Sequence, residues 1–228
     1  MPMTPLTHRG RPALRLANGL IEAIVVPAIG RLMALGLAGG ENVLWEDTTP
    51  GADTEGWSNH GGDKVWPSPQ DQWEAVTARA WPPPEGFDAR PYTCGEQDGD
   101  LVMTSGVDPA YGIQVLRRLT LEPDRPVLTI STRFRKVAGP PVRTGIWVIT
   151  QVRDPLRIFA LLPEHPRLPG GFLQQLGPAP REFSIQGRVL GLARDPGEKG
   201  KIGLEATSLL WVGADTVLRI DAPTQPGD

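Results

Sequence analysis

Leu128-Thr129-Ile130-Ser131-Thr132-Arg133-Phe134-Arg135 decides the fold. Leu128, Ile130 and Phe134 alternate with Thr129, Ser131, Arg133 and Arg135. A period of two puts successive side chains on opposite faces of an extended chain, so this is a strand with one apolar face. The same patterning predicts strands at 13–17, 20–26, 31–37, 42–45, 73–79, 100–105, 113–121, 157–161, 181–185, 188–192, 201–204, 208–212 and 216–220. The 27 glycines and 25 prolines are spread between these segments as punctuation. They leave little room for helices. The best helical window, 151–162, contains Pro155, and an interior proline costs a helix about 3 kcal/mol. The chain therefore reads as antiparallel all-β, built from hairpins and meanders over a two-sheet core. A single β-sandwich domain over 1–228 is expected, with flexible ends at 1–12 and 222–228.

Composition excludes several classes of function. The 228 residues carry a net charge of −3, and no run of Lys or Arg exceeds two, so neither nucleic acid nor an anionic membrane is an expected partner. Cys94 is the single cysteine, which rules out an intrachain disulfide and a cysteine zinc site. The apolar run at 20–29 is interrupted by Glu22 and Pro27, so it is neither a signal segment nor a membrane span. A cytoplasmic protein is expected.

Two loops are long, 47–72 and 163–180. The second offers only Glu164 and His165 between prolines and reads as a surface connection. The first ends in Asn59-His60-Gly61-Gly62-Asp63-Lys64-Val65-Trp66-Pro67-Ser68-Pro69-Gln70-Asp71-Gln72-Trp73. Core packing does not account for a histidine, an acid, a lysine, an amide and two tryptophans beside a Gly-Gly step. His, Asp, Lys and Gln make directional polar contacts, while Trp offers a flat apolar face and one N–H donor. That combination suits a sugar ring, with apolar C–H faces and hydroxyl edges.

The segment 142–153 is the second informative stretch. Val142, Ile146, Val148 and Val152 share one face, expected to be core. Arg143, Trp147, Ile149, Gln151 and Arg153 share the other, too polar for burial and too apolar for full exposure. A half-enclosed groove meets both constraints; an exposed face with Trp147 lying under arginine stems is the alternative.

Other chemistries fit less well. Asp53, Glu55, His60 and Asp63 match no zinc or calcium spacing, so no metal is expected. No nucleophile elbow is present, and Gly39-Gly40 and Gly170-Gly171 lack the helix and lysine of a phosphate loop. No cofactor is expected. Acid–base chemistry at an anomeric centre stays open: His60 would be the acid, and Asp63, Asp71 and Glu205 are the candidate carboxylates.

Residues 18–33, with Gly30-Arg31, and Glu41-Asn42-Val43-Leu44-Trp45 resemble the opening strands of galactose mutarotase-like (aldose 1-epimerase-like) proteins. Gly61-Gly62-Asp63-Lys64-Val65-Trp66-Pro67-Ser68-Pro69-Gln70 resembles a G-G-x-K-x-W-P-x-P-Q motif of an uncharacterised bacterial branch. Trp147-Val148-Ile149-Thr150-Gln151 resembles that branch's W-x-x-T-Q strand. The resemblance implies an antiparallel β-supersandwich with a sugar-binding groove across one sheet. It carries substrate binding to Arg31, Lys64, Trp66, Gln70, Trp147 and Gln151; Asp63 as a binding residue and His60 as the catalytic acid rest on their own side-chain chemistry. There are departures. Catalytic relatives have a mid-chain histidine where this chain has 147–151, and a late glutamate beyond the point where this chain stops, after Ile220. A short form or a fragment, lacking C-terminal strands, is expected. Three readings stand: an aldose 1-epimerase-like isomerase, a non-catalytic carbohydrate-binding protein, and a truncated structural or interaction member of the fold.

Overall fold

The computed structural model describes residues 3–49, 57–88, 90–197 and 199–222. The fold is all-β, with antiparallel sheets throughout. Within the span expected to form one domain, residue contacts separate two compact units, Met1–Gln151 and Val152–Asp228.

Among the described residues, the first unit holds ten strands: β1 Met3–His8, β2 Arg11–Ala17, β3 Ile21–Val26, β4 Arg31–Leu37, β5 Asp63–Ser68, β6 Tyr92–Gln97, β7 Asp100–Asp108, β8 Ile113–Leu121, β9 Leu128–Lys136 and β10 Gly145–Thr150. They form a six-stranded sheet in the order β1-β2-β3-β4-β5-β10 and a four-stranded meander, β6-β7-β8-β9. The chain leaves the larger sheet after β5, builds the meander, and returns to lay β10 along β5. Six residue pairs then join the two strands, from Gly145 opposite Ser68 to Thr150 opposite Asp63. A buried ion pair between Arg117 of β8 and Asp63 of β5 ties the two sheets together.

Alternation explains the well-read strands. In β8, Ile113, Val115, Arg117, Leu119 and Leu121 are buried in strict alternation. Strand β9 buries Leu128, Ile130, Thr132 and Phe134 in part and exposes the residues between them. Residues 1–12, expected as a flexible end, contain β1, whose Leu6 packs on the cluster of Ala13, Val26, Ile29 and Met33.

The second unit contains β11 Arg157–Leu161, β12 Phe172–Leu176, β13 Arg181–Gln186, β14 Val189–Ala193, β15 Lys201–Leu204, β16 Ser208–Val212 and β17 Val217–Asp221. Five of them form a sheet in the order β13-β14-β11-β16-β17, and β12 pairs with β15. Its core is Ala160, Leu162, Leu190 and Leu192, with Phe172, Phe183, Ile202 and Leu204 against it.

Four expectations are corrected. Residues 73–79 are not a strand: α1 spans Trp73–Thr77 and stops where Ala78 turns left-handed and donates its N–H to Glu74 O at 2.8 Å. Trp73, Val76 and Thr77 turn inward at helical spacing, which outweighs the strand preference of Trp and Val. Residues 42–45 form no regular strand, because the Asn42 side chain takes over the pairing. It accepts from the N–H groups of Leu35 and Leu44 and donates to Met33 O, at 3.0–3.1 Å. The stretch 47–72 is not all loop, since β5 lies inside it. The stretch 163–180 likewise contains β12.

Candidate functional site

The site grows from how the chain enters β5. Gly61 and Gly62 have φ of +89° and +69°, backbone that side-chain-bearing residues rarely adopt. A Cβ on Gly61 would stand 2.2 Å from Trp45 O. The step is threaded between two segments: Gly62 N–H donates to Trp45 O at 2.8 Å, and Gln151 N–H donates to Gly62 O at 3.0 Å. The Gly-Gly pair thereby delivers Asp63 and Lys64 to fixed, opposite faces of β5.

On one face, Asp63 accepts from Arg117 and, at 2.6 Å, from Thr150 Oγ1. On the other stand Lys64 and Trp66, with Ile149 and Trp147 directly opposite them on β10. Lys64 Nζ donates to Asn59 Oδ1 at 2.8 Å and to Gln151 Oε1 at 3.2 Å. It lies 4.7 Å from the Trp66 ring centroid and 5.6 Å from that of Trp57, both within cation–π range. Trp66 is the centre of an aromatic cluster. Its ring lies 5.4–6.3 Å from those of Trp57, Trp73, Trp81 and Trp147, so five of the seven tryptophans converge here.

Asp88 underlies the cluster. It ends α2 (Glu85–Asp88), is 2% exposed, and accepts from Arg31 Nη2 at 2.6 Å, Trp66 Nε1 at 2.8 Å and Trp57 Nε1 at 2.5 Å. Arg31 also donates to Gly61 O at 3.0 Å, which anchors the glycine step.

Burial first, and the Arg31 charge second, push the Lys64 amine down to about 8; Asp88 opposes them. A depressed folded-state value means that the unfolded chain holds more protons between about pH 8 and the ordinary value of 10.5. The cost of burying the ammonium is thus fully present below pH 8 and fades as pH rises through that window. Relative to Lys64→Met, the wild-type protein is expected to gain about 2 kcal/mol in urea unfolding free energy between pH 8 and 10.5, after allowance for solvent screening. A difference that stays flat across the window would rule this out.

Of the residues expected to form the site, Arg31, Lys64, Trp66, Trp147 and Gln151 come together. Asp63 lies on the opposite face of β5, paired to Arg117. Gln70 and the candidate carboxylate Asp71 are exposed on a 3₁₀ turn, Gln70–Gln72. His60 is half-buried; its backbone donates to Ser58 O at 3.1 Å and accepts from Asp47 N–H at 3.2 Å. Glu205 belongs to the second unit, where it accepts from Arg167 Nε at 3.1 Å and Leu168 N–H at 2.9 Å. Asp53 and Glu55 lie outside the described residues. No group of three or more His, Cys, Asp or Glu poised for a metal occurs among the described residues.

Within 142–153 the face expected to be core is turned outward in β10. Ile146 and Val148, expected in the core, are 44% and 47% exposed, while Trp147 and Ile149 are half-buried. As the outer strand of the sheet, β10 has only β5 beside it, so its inward face is the one carrying the tryptophan cluster.

Asp88, Trp57, Trp81 and Arg117 are missing from the sequence-based site. Arg117 carries a signal: a charged residue at a core register position between Val115 and Leu119 needs a buried partner. Asp88 has none, since its four-residue helix leaves no periodicity to read.

No helix among the described residues is long and apolar enough to cross a membrane. No family model, curated protein or solved structure matches the chain.

Proposed function

We propose that the protein binds a carbohydrate at the half-buried Trp147 and Gln151, with Lys64 and Trp66 buried directly behind them. One observation carries this reading: an ammonium and a side-chain amide are held beside tryptophan rings on adjacent strands, without a carboxylate bonded to the ammonium. Flat rings suit the C–H face of a sugar, and the amide and ammonium suit its hydroxyl edge. The resemblance to galactose mutarotase-like proteins points to the same ligand class.

Binding without turnover is the favoured form. Ring opening at an anomeric centre needs a carboxylate or similar base that is free to take a proton. Asp63 is held by Arg117 and Thr150, Asp88 by Arg31 and two indoles, and Glu46 by His8 and Arg9. An isomerase using His60 remains the alternative.

Isothermal titration with a panel of aldoses and their acidic derivatives tests the proposal, with polarimetry on the same samples. Saturable heat without faster anomerisation is expected. Trp147→Ala is expected to weaken the best ligand by about 1–3 kcal/mol, as for a stacking platform. An unchanged affinity would remove Trp147 from the site. Anomerisation above the buffer rate would favour the isomerase, and a panel without a binder would end the carbohydrate reading.

A further inference from the structure

We infer that the ligand is an acidic sugar, a hexuronate, whose carboxylate is received by Lys64. This rests on the carbohydrate reading above and narrows it to one substrate class.

The cluster behind Trp147 and Gln151 is short of negative charge. Arg31, Lys64 and Arg117 are buried against two carboxylates, Asp63 and Asp88. Each arginine has its own carboxylate: Arg31 pairs with Asp88, and Arg117 with Asp63. Lys64 is left with the neutral oxygens of Asn59 and Gln151. The two groups whose charges act on it, Arg31 and Asp88, are of opposite sign and bonded to each other. The remaining buried carboxylate among the described residues, Asp108, takes its bonds from the backbone N–H groups of Gly86, Ala110 and Tyr111. One positive charge, that of Lys64, is therefore buried without a carboxylate partner among the described residues. Burying an unpaired charge is costly, and the aromatic faces beside Lys64 attract the ammonium without neutralising it.

The cluster is also short of acceptors. Among the described residues, Arg31 Nε is a buried N–H donor without a partner. A carboxylate brings a single negative charge and acceptor lone pairs, which answers both deficits. A phosphate ester, at nearly two negative charges, overshoots that single charge. Asn59 stands on backbone outside any strand or helix, so its amide can give way to a ligand oxygen without disturbing the β5–β10 ladder.

The test is titration calorimetry on the full chain at pH 7, with glucose, galactose, glucuronate, galacturonate and glucose 6-phosphate. A uronate is expected to bind about ten- to a hundredfold more tightly than its parent hexose, the range of a charge-assisted bond. It is also expected to bind more tightly than the phosphate ester. Lys64→Met and Gln151→Glu should each bring the uronate-to-hexose ratio close to one. The second variant keeps the lysine and supplies the missing charge from within, so it answers the test even where the first fails to fold. Equal affinities for hexose and uronate would overturn this inference and leave sugar binding standing. A preference that survives both variants, or tighter binding of the phosphate ester, would overturn the assignment to Lys64. Absence of binding across the panel would overturn both proposals.

Discussion

Asp88→Ala is expected to destabilise the first unit by about 3–5 kcal/mol, the largest loss from any single carboxylate here. Three donors lose their acceptor at once: the Arg31 guanidinium and the indoles of Trp57 and Trp66. Arg31 is 1% exposed, so its charge would be left buried with only the Gly61 carbonyl as a partner. Leaving one buried donor unsatisfied costs about 1–3 kcal/mol, and more for a charged one. Asp88→Asn keeps the shape but removes the charge, and is expected to retain most of the loss. Replacing the pair together, as in Arg31→Met with Asp88→Ala, should recover part of it, because an apolar substitute no longer strands a charge. Urea unfolding followed by tryptophan fluorescence reports on this directly, since six of the seven tryptophans precede Val152. A loss below about 1 kcal/mol would mean that Asp88 is not the hub of the cluster.

Strand identity was legible wherever one face was apolar and the other polar. The 113–121, 157–161, 201–204 and 208–212 strands appear with their expected limits, and 31–37 does as well. Legibility failed at β5, where burial was two-sided, at 42–45, where a side chain made the pairing, and at the largely exposed β1, β6 and β12, where little apolar surface marks a face. Strand β5 carries Asp63, Lys64 and a proline, yet Asp63 through Pro67 are all buried, so no alternation marks it as a strand. Asn42 hid the opposite error by replacing a ladder with its amide. In 142–153 the period was correct, but Ile146 and Val148, expected in the core, face outward. Which face of an outer strand turns inward is decided by its partner, here the Lys64–Trp66 face of β5, and no local pattern records that.

The candidate site was legible as a cluster of residue types and illegible as a network. Lys64, Trp66, Trp147 and Gln151 stood out because polar and aromatic groups alternated in short stretches. Trp57 and Trp81 come from irregular backbone on either side of β5, and Asp88 from a single helical turn. The addition of Trp147 and Gln151 to them depends on the long excursion that brings β10 back beside β5. What looked like a run of ligand-facing groups therefore divides by register: Lys64 faces the aromatic cluster, while Asp63 is spent on joining the two sheets.

Gly61→Ala is expected to cost about 2–5 kcal/mol and to dismantle the site with the fold. Left-handed backbone alone costs a residue with a side chain about 1–2 kcal/mol. The added methyl would also meet Trp45 O at 2.2 Å and Glu46 Cα at 2.8 Å. Both are backbone atoms, so no rotamer change relieves the overlap. The chain must move, and it is held on two sides. Glu46 bridges Gly61 while its carboxylate is fastened to His8 and Arg9, and Arg31 donates to the Gly61 carbonyl. Shifting the step strips Arg31 of that acceptor and moves Lys64, three residues on, out of reach of Gln151. Gly95 makes the control: it lies in β6, and a Cβ added there would meet nothing within 4 Å, so Gly95→Ala should change stability by less than about 0.5 kcal/mol. Urea midpoints of the two variants, with ligand calorimetry on whichever folds, separate the outcomes. Similar midpoints would mean that the Gly-Gly step is a ligand contact and not a backbone requirement.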